Sequence, residues 1–131
     1  MYEKKIPFSV SCGLEMSREV LFGKWKMHLL YYISTGVKRP GELQRKIPAA
    51  SRRVLNIQLN ELEHQGIVRK KVYIQLPVKV EYFITPIGEQ LLPIINLIGE
   101  FGDKNFHHLQ QVFINDPRVP VDDSILQVRA V

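Results

Sequence analysis

The chain has 131 residues, of which 45% are apolar and 24% are charged, and its formal net charge is +5. This length and composition indicate one compact domain and argue against wholesale disorder or a fibrous repeat. The lone Cys12 excludes an intrachain disulfide and a cysteine-based zinc site. The longest apolar runs, Leu29–Ile33 and Leu91–Ile98, fall short of the roughly 20 residues of a bilayer span, and no secretory signal is visible. We therefore expect a cytoplasmic protein without a membrane partner.

Helical patterns predict most of the N-terminal half, after a loose arm over residues 1–11. Three helices are predicted there, over residues 13–22, 24–35 and 40–47. Gly23 separates the first two helices and Gly36 ends the second, while Pro40 suits the first turn of the third. Trp25 opens the second helix, and we assign it to the core rather than to a ligand site.

The clearest element is a helix over residues 52–65, which Ser51 can cap and Gly66 can end. Its apolar stripe consists of Leu55, Leu59 and Leu62. Their spacing of three and four residues puts these leucines on one face, so the opposite face is predicted to be exposed.

After Gly66 the apolar pattern changes from that of a helix to that of strands. The predicted order is a strand over residues 67–73, a loop over 74–78 and a strand over 79–84. One long helix then runs from Pro86 past Phe101, with a kink at Pro93.

Three helices, a β-hairpin and a further helix predict a mainly α fold with a small β-hairpin, the winged helix-turn-helix. We assign this domain to residues 12–107 and a flexible tail to residues 108–131. A helix presented by a tight turn fits the major groove of DNA, which is about 12 Å wide. The distribution of charge is consistent with a DNA-binding fold, because residues 38–71 contain nine basic and three acidic side chains, a net charge of +6. Such a local excess indicates a polyanionic partner, and a solvated basic face is the alternative.

Several segments together resemble the HxlR-type bacterial transcription regulators. They are Cys12, Gly23-Lys24-Trp25, Glu42-Leu43, Leu59–Val68 and Pro77–Gly88. The resemblance covers roughly residues 12–102 and implies a DNA-binding winged helix that dimerises through its first and last helices. It also implies regulation of nearby genes, often in response to electrophiles, oxidants or small metabolites. The chain departs from the usual pattern at Pro40, Ile57, Gln58 and Phe101.

The exposed face of the 52–65 helix supplies the predicted contacts to bases. Arg53 is expected to pair with a guanine edge, and Asn56 or Asn60 with an adenine edge. Ile57 could touch a thymine methyl, and the Ser51 hydroxyl would face a phosphate at the helix N-terminus. The basic residues of the hairpin are expected to contact phosphates. One of them, Lys79, stands at a position that is basic in the family. The whole predicted DNA-binding set is Ser51, Arg52, Arg53, Asn56, Ile57, Asn60, Arg69, Lys70, Lys71 and Lys79.

The tip of the hairpin, Ile74–Val78, is mostly apolar, which is unusual for a segment expected beside DNA. It could instead pack on the domain or on a partner protein. A winged-helix module for protein–protein interaction, with DNA binding secondary, therefore stays open as an alternative function.

The apolar arc of the last helix is wider than one small domain can cover. This surplus predicts a two-fold homodimer on a palindromic or pseudo-palindromic operator in double-stranded DNA. With the family resemblance, the predicted dimer interface is Leu14, Leu21, Leu91, Ile94, Ile95, Ile98 and Phe101. Cys12 opens the first helix, where the thiolate is favoured, so it is a candidate redox or electrophile sensor. The alternative is an inert, partly buried thiol.

No motif predicts catalysis. The Gly36–Gly41 segment has the two glycines of a phosphate loop, but Glu42 follows where a lysine is required. Asp103 and His107 could share a helix face, which gives an adventitious metal site at most. We expect no enzyme, no cofactor and no metal, and a small-molecule effector stays open.

Overall fold

The structure is a computed structural model that describes residues 7–120, so predictions for residues 1–6 and 121–131 lie outside it. Its elements are α1 Gly13–Leu21, α2 Lys26–Ser34, α3 Pro40–Lys46, α4 Arg52–His64, β1 Val68–Tyr73, β2 Lys79–Ile84, α5 Pro86–Glu89, α6 Leu92–Lys104 and α7 Phe106–Phe113. This order confirms the mainly α winged helix-turn-helix, and the first four helices and both strands agree with the prediction to within two residues. The chain forms two compact units, Met1–Leu92 and Pro93–Val131.

The core of the first unit consists of the apolar faces of α2, α3 and α4 with the start of β1. Its most deeply buried side chains are Leu29, Leu30, Leu43, Leu55, Leu59, Leu62 and Val68. The three leucines predicted for the inner face of α4 are all among them, so the predicted orientation of this helix is confirmed. Trp25, predicted to be core, is half-buried at the start of α2.

The two strands pair antiparallel, and their register decides which way each basic side chain points. Arg69 lies opposite Phe83, Lys71 opposite Glu81 and Tyr73 opposite Lys79. Because successive side chains of a strand point to opposite faces, these six residues share one face of the hairpin, and Lys70 belongs to the other. We call this face, formed by Arg69, Lys71, Tyr73, Lys79, Glu81 and Phe83, the wing face.

The end of α4 and the exit of the hairpin are held together at Thr85. Its hydroxyl oxygen lies 2.7 Å from the carbonyl oxygen of Gly66 and 2.9 Å from that of Ile67, and it accepts a hydrogen bond from the Gly88 amide at 3.1 Å. Gly66 has a φ of +75°, which ends the helix as predicted. A Cβ added at Gly88 would lie 2.2 Å from the Ile67 carbonyl oxygen, so this close approach requires glycine.

The long helix predicted from Pro86 past Phe101 is wrong, because the chain leaves the helical path between Glu89 and Leu92. Proline has no amide hydrogen, and its ring clashes with the carbonyl four residues earlier, so Pro93 breaks the helix rather than kinking it. The proline then occupies the first turn of α6, where its missing donor costs nothing. Helix α7 was not predicted, and it includes the first six residues, 108–113, of the predicted 108–131 tail.

Candidate nucleic-acid interface

Helix α4 presents its predicted DNA-contacting residues outward. The Ser51 hydroxyl accepts a hydrogen bond from the Val54 amide at 3.1 Å, which caps the helix and leaves the hydroxyl hydrogen free to donate. The exposed side chains of this helix include Arg52, Arg53, Asn56, Ile57 and Asn60. The exposure predicted for all five is therefore confirmed, and their individual base contacts remain predictions.

A concave surface of about 340 Å³ lies between the start of α3, the start of α4 and the hairpin. We call it the cationic cleft, and its charged lining residues are Arg39, Arg45, Arg52, Lys79 and Glu42. Four cations therefore face one carboxylate. A Cβ placed on Gly41 would lie 3.8 Å from Nη1 of Arg52 and 3.9 Å from Nη2 of Arg45, so two guanidinium groups converge beside this glycine. Paired guanidinium groups suit phosphate oxygens because each presents a planar fork of donors.

Arg39 and Arg45 were not among the residues predicted to bind DNA. Their charges counted toward the basic excess of residues 38–71, but the sequence gives no sign that the start of α3 faces the hairpin. Within residues 7–120 neither Arg45 nor Arg52 makes an ion pair, so both are available to an incoming anion.

Aromatic rings hold the basic side chains of the wing face. Lys38 and Arg69 both contact the Phe83 ring, each cation 4.6 Å from its centroid. Lys71 and Lys79 both contact the Tyr73 ring, each ammonium 4.7 Å from its centroid. These cation–π contacts order side chains that would otherwise be mobile in water.

Glu81 is the carboxylate on the wing face, and it accepts a hydrogen bond from the Tyr73 hydroxyl at 2.8 Å. Its other oxygen lies 3.6 Å from Nζ of Lys79 and 3.9 Å from Nε of Arg39. The Tyr73 hydrogen bond, followed by the charges of Lys79 and Arg39, lowers the pKa of Glu81. The ionised Glu81 therefore offsets part of the positive charge of the wing face.

Lys70 is separated from its sequence neighbours by the strand register. Its ammonium lies 3.9 Å from a carboxylate oxygen of Glu63, a residue near the end of α4. Arg69, Lys70 and Lys71 were all predicted to contact phosphates. The structure brings Arg69 and Lys71 together on the wing face and leaves Lys70 on the other side of the hairpin.

A second concavity, of about 620 Å³, lies where the α1–α2 connection faces α4. The Gln58 side chain lines it and accepts a hydrogen bond from the Trp25 backbone amide at 2.8 Å. Lys26 is 2% exposed, and its ammonium lies 3.8 Å from the Glu61 carboxylate and donates to the Glu19 carbonyl at 3.3 Å. A buried ammonium requires such partners, so Lys26 ties α1 and α4 to α2.

The same contacts explain part of the Gly-Lys-Trp segment. A Cβ at Gly23 would lie 2.7 Å from the Lys26 stem, so the glycine leaves room for the buried lysine. Gln58, a departure from the family pattern, joins α4 to the start of α2 through its hydrogen bond with the Trp25 amide.

The remaining predicted site residues lie on α1, on α6 or just before α6. Cys12 is the half-buried N-cap of α1, and Leu14 in the first turn of that helix is exposed. Leu21, also predicted for the dimer interface, is only 6% exposed and belongs to the protomer's own core. Exposed apolar side chains on α6 are Ile94, Leu97, Ile98 and Phe101, whereas Leu91 and Ile95 are half-buried.

Residues 7–120 contain no group of three or more histidine, cysteine or acidic side chains that could hold a metal ion. Within the same range no helix combines the length and the apolar character of a membrane span.

Known proteins similar to this chain include regulators from bacteria. Residues 20–110 match a family model described as HxlR-like helix-turn-helix. The uncharacterized HTH-type transcriptional regulator YkvN of Bacillus subtilis (strain 168) is 46% identical over 92 residues, which are 70% of this chain and 78% of the relative. The redox regulator HypR in its reduced form has a TM-score of 0.72 and 41% identity, covering 76% of this chain and 99% of that one. Its oxidized form has a TM-score of 0.67 and 44% identity, covering 72% and 97%.

Proposed function

This chain belongs to the HxlR-like helix-turn-helix family of transcription regulators, and from that premise we propose that it binds a preferred operator sequence in double-stranded DNA as a homodimer. We place it in the cytoplasm and expect it to act through binding alone, since its relatives are named as transcriptional regulators. Helix α4 enters the major groove, and the hairpin lies along the neighbouring backbone.

The observation that carries the proposal is the alignment of the cationic cleft with the exposed face of α4. Arg52 belongs to both, because it lines the cleft and opens the helix. Phosphate oxygens bound by Arg45 and Arg52 would fix the position of α4 on the duplex without reading sequence. The side chains of Arg53, Asn56 and Asn60 then read base edges from a fixed starting point.

The test is selection of bound duplexes from a random pool, followed by affinity measurements on the selected sequence at several salt concentrations. We expect a palindromic consensus with half-sites about 34 Å apart, because two α4 helices of a dimer meet successive major grooves. Affinity should fall steeply with salt, since each neutralised phosphate releases a counterion. Recovery of no preferred sequence would contradict the proposal.

The dimer interface is proposed from the exposed apolar residues of α6 and α1. Ile94, Ile98 and Phe101 recur at intervals of four and three residues and are all exposed in the protomer, as is Leu14 on α1. An apolar stripe of this kind is covered in water by a second copy. Leu21 has no part in this proposed contact because it is already buried.

A charge in the stripe tests the dimer directly. Phe101→Asp should give a monomer in sedimentation experiments, whereas the neighbouring Asp103→Asn, which only removes a charge outside the stripe, should stay dimeric. Circular dichroism establishes that both variants are folded. A Phe101→Asp protein that remains dimeric would place the interface elsewhere.

Cys12 is proposed as the sensor of oxidants or electrophiles. Its place at the N-cap of α1 and the similarity to a protein named as a redox regulator support this role. It is the only cysteine in the chain, so oxidation would give a sulfenic acid, a mixed disulfide with a small thiol, or a bridge between protomers. The operator affinity of the wild type should change after peroxide or quinone treatment, and that of Cys12→Ser should not. Equal behaviour of the two proteins would exclude the cysteine as the sensor.

A further inference from the structure

The tip of the hairpin exposes aliphatic side chains more fully than any other described part of the chain. Ile74 and Leu76 are 101% and 98% exposed, and Val78 follows them at 62%. No described residue covers the first two. Aliphatic surface exposed to water is unfavourable, so this tip is suited to a partner that buries it.

The surroundings of the tip are cationic and polar. Residues 74–78 contain no acidic side chain, and Gln75 lies between the two most exposed residues. Lys71 and Lys79 stand just behind the tip, each stacked on the Tyr73 ring. An exposed apolar tip flanked by lysines is complementary to a partner that offers both negative charge and apolar surface.

The tip is also continuous with the proposed DNA-binding surface. Gln75, Pro77 and Val78 line the cationic cleft together with Arg45 and Arg52. A duplex whose phosphates occupy the cleft therefore passes directly beside the tip. This continuity favours DNA over a membrane or a separate protein as the partner.

We propose that the tip enters the minor groove and that Ile74 and Leu76 act as an apolar wedge between adjacent base pairs. The inference rests on the proposed function, because α4 must first place the hairpin on the duplex. Wedges of this kind partly unstack one base step and kink DNA by about 20–90° toward the major groove. Stacked bases supply the apolar surface that buries the two side chains, and the flanking phosphates pair with Lys71 and Lys79.

The wedge gives DNA binding two contributions that respond differently to salt. Phosphate contacts weaken as salt rises, because their counterions are released on binding. Burial of Ile74 and Leu76 releases no counterion, so its contribution is the same at every salt concentration. The wedge also makes the preferred sequence depend on a base step that is easily unstacked, such as TA or CA.

The test uses the full chain and the duplex obtained by selection, with 2-aminopurine placed at each base step in turn. Wild-type protein should raise the fluorescence at one step in each half-site, beside the α4 contact, and end-labelled duplexes should report a bend by energy transfer. The double variant Ile74→Ser, Leu76→Ser should lose both signals. At every salt concentration from low to physiological, the affinity of the double variant should be lower than that of the wild type by the same factor. Because these side chains are exposed, its unfolding temperature should equal that of the wild type.

Ile87→Ser is the matched control, since Ile87 is an exposed aliphatic residue on α5 at the opposite end of the hairpin. It should bend DNA and raise the fluorescence as the wild type does. A double variant that still bends the duplex would overturn the wedge, as would a loss of affinity that changes the salt slope. Tip-dependent capture on anionic vesicles or on a protein, with silent 2-aminopurine at every step, would also overturn it. Failure of the wild type to prefer any DNA would instead refute the proposed function.

Discussion

Helix α4 and the hairpin both carry basic residues, two on the helix and four on the hairpin, but present them to a partner in different ways. Arg52 and Arg53 at the start of α4 make no ion pair with any residue of the 7–120 range. On the hairpin, Lys70 pairs with Glu63 and Lys79 with Glu81. The charges of α4 are therefore free, whereas those of the hairpin are partly neutralised before DNA arrives. A count of basic residues does not give the strength of a binding surface.

The two regions also differ in how far they are packed against the core. The inner face of α4 is anchored by Leu55, Leu59 and Leu62, so its outer side chains start from fixed positions. The hairpin tip has no such backing, since Ile74 and Leu76 are covered by no described residue. The difference fits our proposals that the rigid helix reads bases and that the unsupported tip deforms the DNA.

The largest expected effect is on the free energy of unfolding, which should depend strongly on the core face of α4 and hardly at all on the hairpin tip. Leu59→Ala should lower the free energy of unfolding by about 2–5 kcal/mol, because it leaves a cavity in the core. Leu76→Ala at the tip should change it by no more than about 0.5 kcal/mol. Urea denaturation measures both. Similar losses in the two variants would show that the tip is packed in solution.

The next effect concerns base reading. Arg53→Ala should weaken binding to the preferred duplex by about 1–3 kcal/mol and relax the preference at one position. Fluorescence anisotropy on the preferred and a scrambled duplex measures the difference. An equal loss on both duplexes would assign Arg53 to the phosphate backbone and weaken the contrast with the cleft.

A smaller effect tests whether free and paired cations differ. Arg45→Ala should reduce the slope of log affinity against log salt by about 1, since one phosphate contact is lost. Lys70→Ala is the control, because this lysine faces away from the wing face and pairs with Glu63. Its slope should match that of the wild type. If the two variants changed the slope equally, unpaired and paired cations would not differ in their contribution to DNA binding.

The smallest effect concerns Glu81, whose pKa is lowered from 4.5 in the folded protein. A lowered pKa means that the ionised carboxylate stabilises the fold at neutral pH, and this contribution is lost as the pH falls from 4.5 through the folded pKa. Glu81→Gln should therefore unfold at a slightly lower temperature than the wild type at pH 7. The difference should disappear in acid. Melting curves that differ equally at both pH values would show that the negative charge of Glu81 is not the cause.

Local sequence patterns were sufficient where one element determines its own orientation. The leucine spacing of α4 gave its buried side, Ser51 its cap and Gly66 its end, because each depends on residues within a few turns. Pro93 was recognised as a disturbance, but its consequence was underestimated. The clash with the carbonyl four residues earlier is severe enough to separate α5 from α6.

Residues that are distant along the chain could not be brought together from the sequence. The cationic cleft joins Arg45, Arg52 and Lys79 from three elements, and no periodicity within one element reports such a meeting. The hairpin register likewise separates Lys70 from Arg69 and Lys71, although all three read as one basic run.

The sequence by itself determined the order of the first four helices and the two strands, the outer face of α4, the basic excess and the family resemblance. These follow from backbone geometry and from side chains close together in the chain. Only the tertiary structure decided which cations are free and which are paired, that Lys26 is buried between helices, and that the apolar tip borders the cleft. The reason is physical: a charge is neutralised or a surface covered by whatever lies nearest in space, and the packing of the core sets that neighbour.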